Sequence, residues 1–170
     1  RKGIVTSITI SKIVVAEIKI DVNTIEVKKL IQKISRKQNT AIQRALNRVS
    51  NMAVLMITKR TQRGQKPDGG KFIPYAPATK IAYESIKENS DIVDLTLSGQ
   101  MFRSLDFRVR GKKSTLLFAN KDMEKRAFRH DILGVGKKKT KRPFFSIGKQ
   151  EEPKLINEFS KFYFQQIGIR

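Results

Sequence analysis

The chain has 170 residues, no cysteine and no tryptophan, and a formal charge of +21 from 36 Lys and Arg against 15 Asp and Glu. That length suits one domain, or one domain with an extension, and the missing cysteines exclude a disulfide framework and thiolate metal sites. No apolar run approaches the ~20 residues that cross a bilayer, and so strong a positive field points to a polyanionic partner: DNA, RNA or an acidic protein surface.

The N-terminal stretch "RKGIVTSITISKIVV" lacks the long apolar segment and small-residue cleavage site of a signal peptide. Because it opens on Arg1 rather than Met, a processed or trimmed N-terminus is expected. Ile4, Thr6, Ile8 and Ile10 alternate onto one strand face, and residues 13–20 form a second β-rich run, so residues 1–25 read as a β-rich extension. Residues 21–37 fit either a short helix or a continuing strand. From Gln38 to Thr61 the period changes. Ile42, Leu46, Val49, Ala53 and Met56 fall on one helical stripe, predicting a helix roughly 35 Å long that stops near Gly64.

"GQKPDGGKFIPYAPAT" holds three Pro and three Gly in sixteen residues and reads as a long loop suited to partner contact. A short helix from Pro77 or Thr79 to about Lys87 follows. In "LTLSGQMFRSLDFRVR", Ser98 is placed to cap a short helix that feeds Met101, Phe102 and Leu105 into the core. From Asp106 the alternation predicts a hairpin with a basic tip, ending at Phe118. Residues 121–130 read as a helix and "GVGKKKTKRP" as a mobile basic loop. The chain closes with a helix whose apolar face is Leu155, Ile156, Phe159, Phe162 and Tyr163.

Catalytic chemistry needs a nucleophile with a base, paired carboxylates or a metal. His130 is the single histidine, and beside apolar helical residues it reads as structural. Asp91 and Asp94 read as capping residues, and Asp68-Gly69-Gly70 as a turn without the further oxygens of a calcium loop. Gly134-Val135-Gly136-Lys137 misses the spacing of a phosphate-binding loop. The chain therefore reads as a non-enzyme without cofactor or metal. In "KKKTKR", Lys137, Lys138, Lys139, Lys141 and Arg142 attract phosphate without reading sequence, or contact an acidic partner. A solvated surface loop accounts for the run equally well.

Four short motifs occur in a fixed order. Asp68, Gly69, Phe72, Pro74 and Tyr75 fit D-G-x-x-F/W-x-P-Y/L. Leu95, Leu97, Ser98, Gly99, Met101, Ser104 and Leu105 fit L-x-x-S/T-G-x-M/L-x-x-S-L/I. Ala127, His130 and Gly134 fit A-x-x-H-x-x-G with one residue inserted, and Arg142, Pro143, Phe144 and Phe145 fit R-P-F/W-F/L-x-I/L. In this order the chain resembles the bacteriophage virion-morphogenesis and tail-completion proteins of the neck, over about residues 38–165.

The resemblance implies an α+β domain over residues 26–170, with a small antiparallel sheet packed on a long helix and a C-terminal helix, behind the N-terminal β-rich extension. It implies a structural virion protein of the neck or tail, assembled in the bacterial host cytoplasm. Copies would form a homo-oligomeric, hexameric ring that completes the tail. Its neighbours would be the head connector or adaptor and the tail terminator or tail-tube proteins, with genomic DNA in the channel and no membrane. Asp68, Phe72, Pro74 and Tyr75 would form an intersubunit loop. Ser98, Gly99, Met101, Phe102, Leu105, Pro143, Phe144 and Phe145 would be structural. A basic, sequence-independent nucleic-acid-binding module is the alternative, supported by charge but not by motif order.

Overall fold

The computed structural model describes residues 25–86, 91–96 and 98–168. The extension expected over residues 1–25 lies outside them, save for Ile25, and so does Leu97 of the second motif. Among the described residues, helices combine with one two-stranded antiparallel sheet.

Helix α1 runs Ile25–Gln62, 38 residues or about 57 Å, so the ambiguous stretch before Gln38 is helical. No Gly or Pro interrupts it, and Lys, Gln, Glu and Arg are good helix formers. Every described side chain before Ala41 is exposed. From there Ala41, Ala45, Leu46, Val49, Ala53 and Ile57 form the buried stripe, while Met56 sits at its edge. Helix α2 (Pro77–Glu84) starts with Pro in its first turn and buries no side chain.

Helix α3 is a single turn, Gln100–Arg103. Ser98 does not cap it. Gly99 occupies the cap in the left-handed region (φ 69°), with no side-chain hydrogen bond, while the Ser98 carbonyl accepts from Arg103 Nη2 at 2.6 Å. A residue without Cβ takes that conformation most readily, so the corner is set by Gly99 and Ser98 falls one position too early. Met101 and Phe102 are buried in α3, and Leu105 just after it.

Strands β1 (Leu105–Arg110) and β2 (Lys113–Phe118) pair antiparallel from Leu105 opposite Phe118 to Arg110 opposite Lys113. Leu105, Phe107 and Val109 share the inner face with Phe118, Leu116 and Ser114. Both strands pack on α1, as does helix α5 (Glu152–Ile167). At the sheet–helix contact Ser50 donates its hydroxyl to the Leu46 carbonyl (2.7 Å), so Ser114 is the donor in the 2.5 Å Ser50–Ser114 bond.

Helix α4 (Lys121–Phe128) is capped by Asn120, whose Oδ1 accepts from the amides of Asp122 (2.8 Å) and Met123 (3.3 Å). One π-helical turn, Arg129–Leu133, follows. On α5, Leu155 is buried and Phe159, Phe162 and Tyr163 are half-buried, but Ile156 is exposed. The side of α5 turned to α1 is narrower than the apolar stripe in its sequence.

Candidate functional site

The four motif blocks meet in one place. Phe72, Met101, Phe102, Leu105, Ala127, Phe144 and Phe145 belong to a single buried cluster built on Val49, Ala53 and Ile57 of α1. Phe144 stands edge-on to Phe102 at 5.8 Å, and Phe145 packs on Phe118 at 5.1 Å. Pro143 differs from its neighbours and is exposed.

Polar bonds tie the blocks together as well. Asp131 Oδ1 accepts from the amides of Phe144 (2.7 Å) and Phe145 (2.9 Å). The Arg142 amide donates to the His130 carbonyl at 2.7 Å. The Arg142 guanidinium donates through Nε to the Ile73 carbonyl (3.1 Å) and through Nη2 to the Pro74 carbonyl (3.0 Å), and lies over the Tyr75 ring at 5.2 Å. Burial, before any other influence, lowers its pKa.

Arg142 therefore leaves the set of contact cations. Its side chain is buried and committed to the first motif block, because two carbonyls and a ring face satisfy a planar guanidinium that a lysine would not. The basic segment is a closed turn. Val135 and Thr140 exchange both amide–carbonyl bonds at 3.0 Å, and Lys139 N–H bonds back to Gly136 O, closing a tight turn. Gly134 makes that closure possible: a Cβ there would lie 2.0 Å from the Lys139 carbonyl oxygen. Lys137, Lys138, Lys139 and Lys141 project from this turn and are exposed. Ile132 and Leu133, which precede the turn in the chain, are exposed, as is Ile73, whose carbonyl accepts from Arg142.

The 64–78 loop does not turn away from its own core, as its composition leads one to expect. Phe72 is buried within it, and the loop orders itself around Asp68, whose Oδ1 accepts from the Gly70 amide at 2.8 Å. That bond, before the neighbouring Lys66, lowers the Asp68 pKa. Pro74 is exposed and Tyr75 half-buried against Tyr83, ring centroids 4.9 Å apart. Burial first, then the Asp94 charge, pushes the Tyr75 hydroxyl up to about 12. A cleft of about 370 Å³ opens where three blocks meet, lined by Tyr75, Tyr83, Met101, Arg126, Arg129 and His130.

His130 is half-buried, and its Nδ1 is closed to solvent without a hydrogen-bond partner. Burial first, then the Arg142 and Arg126 charges, holds its pKa below the usual imidazole value. The unfolded chain protonates near pH 6.5, whereas the fold resists that proton. This residue's contribution to stability is therefore whole above about pH 6.5 and declines as pH falls toward the folded pKa. The thermal midpoint is expected to drop on acidification by more in the native chain than in His130→Gln; parallel pH profiles would refute this.

Among the described residues, no group of three or more His, Cys, Asp and Glu is placed to hold a metal ion, and no helix is long and apolar enough to cross a membrane. Comparison with known protein families, with characterised proteins and with solved structures finds no match.

Sequence reasoning missed Arg60, Glu151 and Asp131. Arg60, 9% exposed at the last turn of α1, donates to Glu151 Oε2 and to the carbonyls of Phe144 (2.7 Å) and Ser146 (2.8 Å). No local pattern distinguishes this arginine from the exposed cations around it.

Proposed function

We propose that the chain is a structural virion protein of a bacteriophage neck, whose copies form a ring that completes the tail and joins it to the head connector. One observation carries the reading. The four motif blocks on which the resemblance rests form one connected unit: block one to block four through Arg142, block three to block four through Asp131 and His130, and blocks one, two, three and four through the Phe72–Phe102–Ala127–Phe144 core. The ring, hexameric by resemblance, would be assembled in the host cytoplasm and reside in the virion.

The outward side of this unit supplies a docking face. Exposed Lys137, Lys138, Lys139 and Lys141 follow exposed Ile132 and Leu133 in the chain, and cations with apolar neighbours suit an acidic protein partner such as a connector or tail subunit. A ring would repeat the face by symmetry.

The test is made in the phage that carries the gene. Particles assembled without the protein are expected as free heads and free tails under the electron microscope; joined, infectious particles would overturn the reading. A general nucleic-acid-binding role would instead leave joining intact. Replacing Lys137, Lys138, Lys139 and Lys141 with Gln, while keeping Arg142, should leave the melting midpoint unchanged, since exposed charges stabilise little. The same variant should lower the infectious titre and raise the count of free heads; a normal titre with normal joining would exclude the loop from the junction.

A further inference from the structure

We infer that the β1–β2 hairpin is a double-stranded DNA contact, its tip straddling the phosphates at the major groove without reading sequence. The inference goes beyond the neck reading and rests on the ribbon alone.

Six residues of the hairpin are exposed: Asp106, Arg108, Arg110, Gly111, Lys112 and Lys113. Four are cations, and none of these four has an ion-pair partner among the described residues. The one acid, Asp106, lies at the base of the ribbon and accepts from the Phe107 amide at 2.8 Å. The pairing register sets Arg110 directly opposite Lys113, with Gly111 and Lys112 closing the turn. Directly opposed residues of an antiparallel pair share a face with Cβ atoms about 4.5–5.5 Å apart, and like charges there destabilise the sheet. Arg108 adds a third cation on that outer face, one pleat back. The fold gains nothing from holding these charges together, whereas a polyanion would neutralise them.

Two features favour DNA over an acidic protein. The apolar residues of the ribbon face inward or are half-buried, so no exposed apolar side chain stands among the tip cations. Protein interfaces draw on a desolvated core and are depleted of lysine there, as the 137–141 turn with its neighbouring Ile132 and Leu133 illustrates by contrast. The shape fits as well, because the major groove, about 12 Å wide, admits a two-stranded ribbon.

The experiment measures binding of the full chain to a short blunt duplex of mixed sequence across about 50 to 200 mM salt. Replacing Arg108, Arg110, Lys112 and Lys113 with Gln is expected to reduce the slope of log K against log salt by about 3 to 4, close to 0.9 for each phosphate that is no longer neutralised. Affinity for two unrelated sequences should fall alike. The turn variant Lys112→Gln with Lys113→Gln leaves β1 untouched and should reduce the slope by about 2. It serves as the test if the four-fold variant fails to fold by circular dichroism. An unchanged slope in the folded variants, or a slope that falls only when Lys137, Lys138, Lys139 and Lys141 are replaced, would overturn the inference. So would intact DNA binding alongside abolished binding of polyglutamate. Particle assembly plays no part in this measurement, so its failure leaves the neck reading standing, and joined particles formed without the protein leave this inference standing.

Discussion

Replacing Arg60 with Ala is expected to lower the free energy of unfolding by about 3–5 kcal/mol, the cost of breaking a buried ion pair from one side. The arginine fastens the end of α1 to the segment that leads into α5. Its guanidinium donates to Glu151 and to the carbonyls of Phe144 and Ser146. Burial is the foremost influence on its pKa and lowers it, and Glu151 opposes that shift. Without Arg60, the part-buried Glu151 carboxylate keeps the Gly148 amide (2.7 Å) but loses its counter-charge, the Ser146 carbonyl loses the guanidinium, and the Phe144 carbonyl keeps only the Ser146 amide (3.0 Å). Urea unfolding of Arg60→Ala, Glu151→Gln and the pair Arg60→Met with Glu151→Gln measures this. The pair should be less destabilised than Arg60→Ala, because it leaves no lone buried charge. A loss below about 1 kcal/mol in Arg60→Ala would place the contact with ordinary surface pairs.

Truncating Phe144 to Ala is expected to cost a similar amount, about 3–5 kcal/mol, through the cavity left in a core that cannot close around it. The ring is fully enclosed, at 0% exposure, between Phe102 and Phe145. Its backbone is held on both sides, with the amide on Asp131 and the carbonyl on Arg60, so the chain has little freedom to sink into the void. Phe144→Leu should recover a large part of the loss. If the alanine variant unfolded within about 1 kcal/mol of the native chain, the site would have to collapse more completely than these bonds permit.

These two residues also mark the boundary between what is legible along the chain and what is not. The hairpin and the cores of α1 and α5 follow from periodicity, since a stripe at helical spacing or an alternation at period two is a local property. Burial of Met101, Phe102 and Leu105 follows from the same local reasoning. The start of α1 is ambiguous along the chain because "TIEVKKLIQKIS" mixes β-branched residues with helix-forming lysines. Once a long helix is nucleated, adding residues costs little, and the mixture resolves to helix. The corner before α3 falls one residue later than its sequence suggests, since Ser98 and Gly99 are both good caps and only the backbone shows that the left-handed position belongs to the glycine.

The charge, the periodic elements and the order of the four motifs can be read along the chain. Composition and local spacing fix those without reference to distant parts of the chain. Which members of a uniform basic run face solvent depends on how the folded chain packs. Arg142 follows Lys141 in the chain, yet it is buried because the Ile73 and Pro74 carbonyls and the Tyr75 ring come from a loop remote in sequence. Phe72 lies in the core rather than at a partner's surface for the same reason, and Asp131 meets the Phe144 and Phe145 amides across the closed lysine turn. Whether a polar group is exposed depends on what packs against it, and that is a property of contacts between segments far apart along the chain.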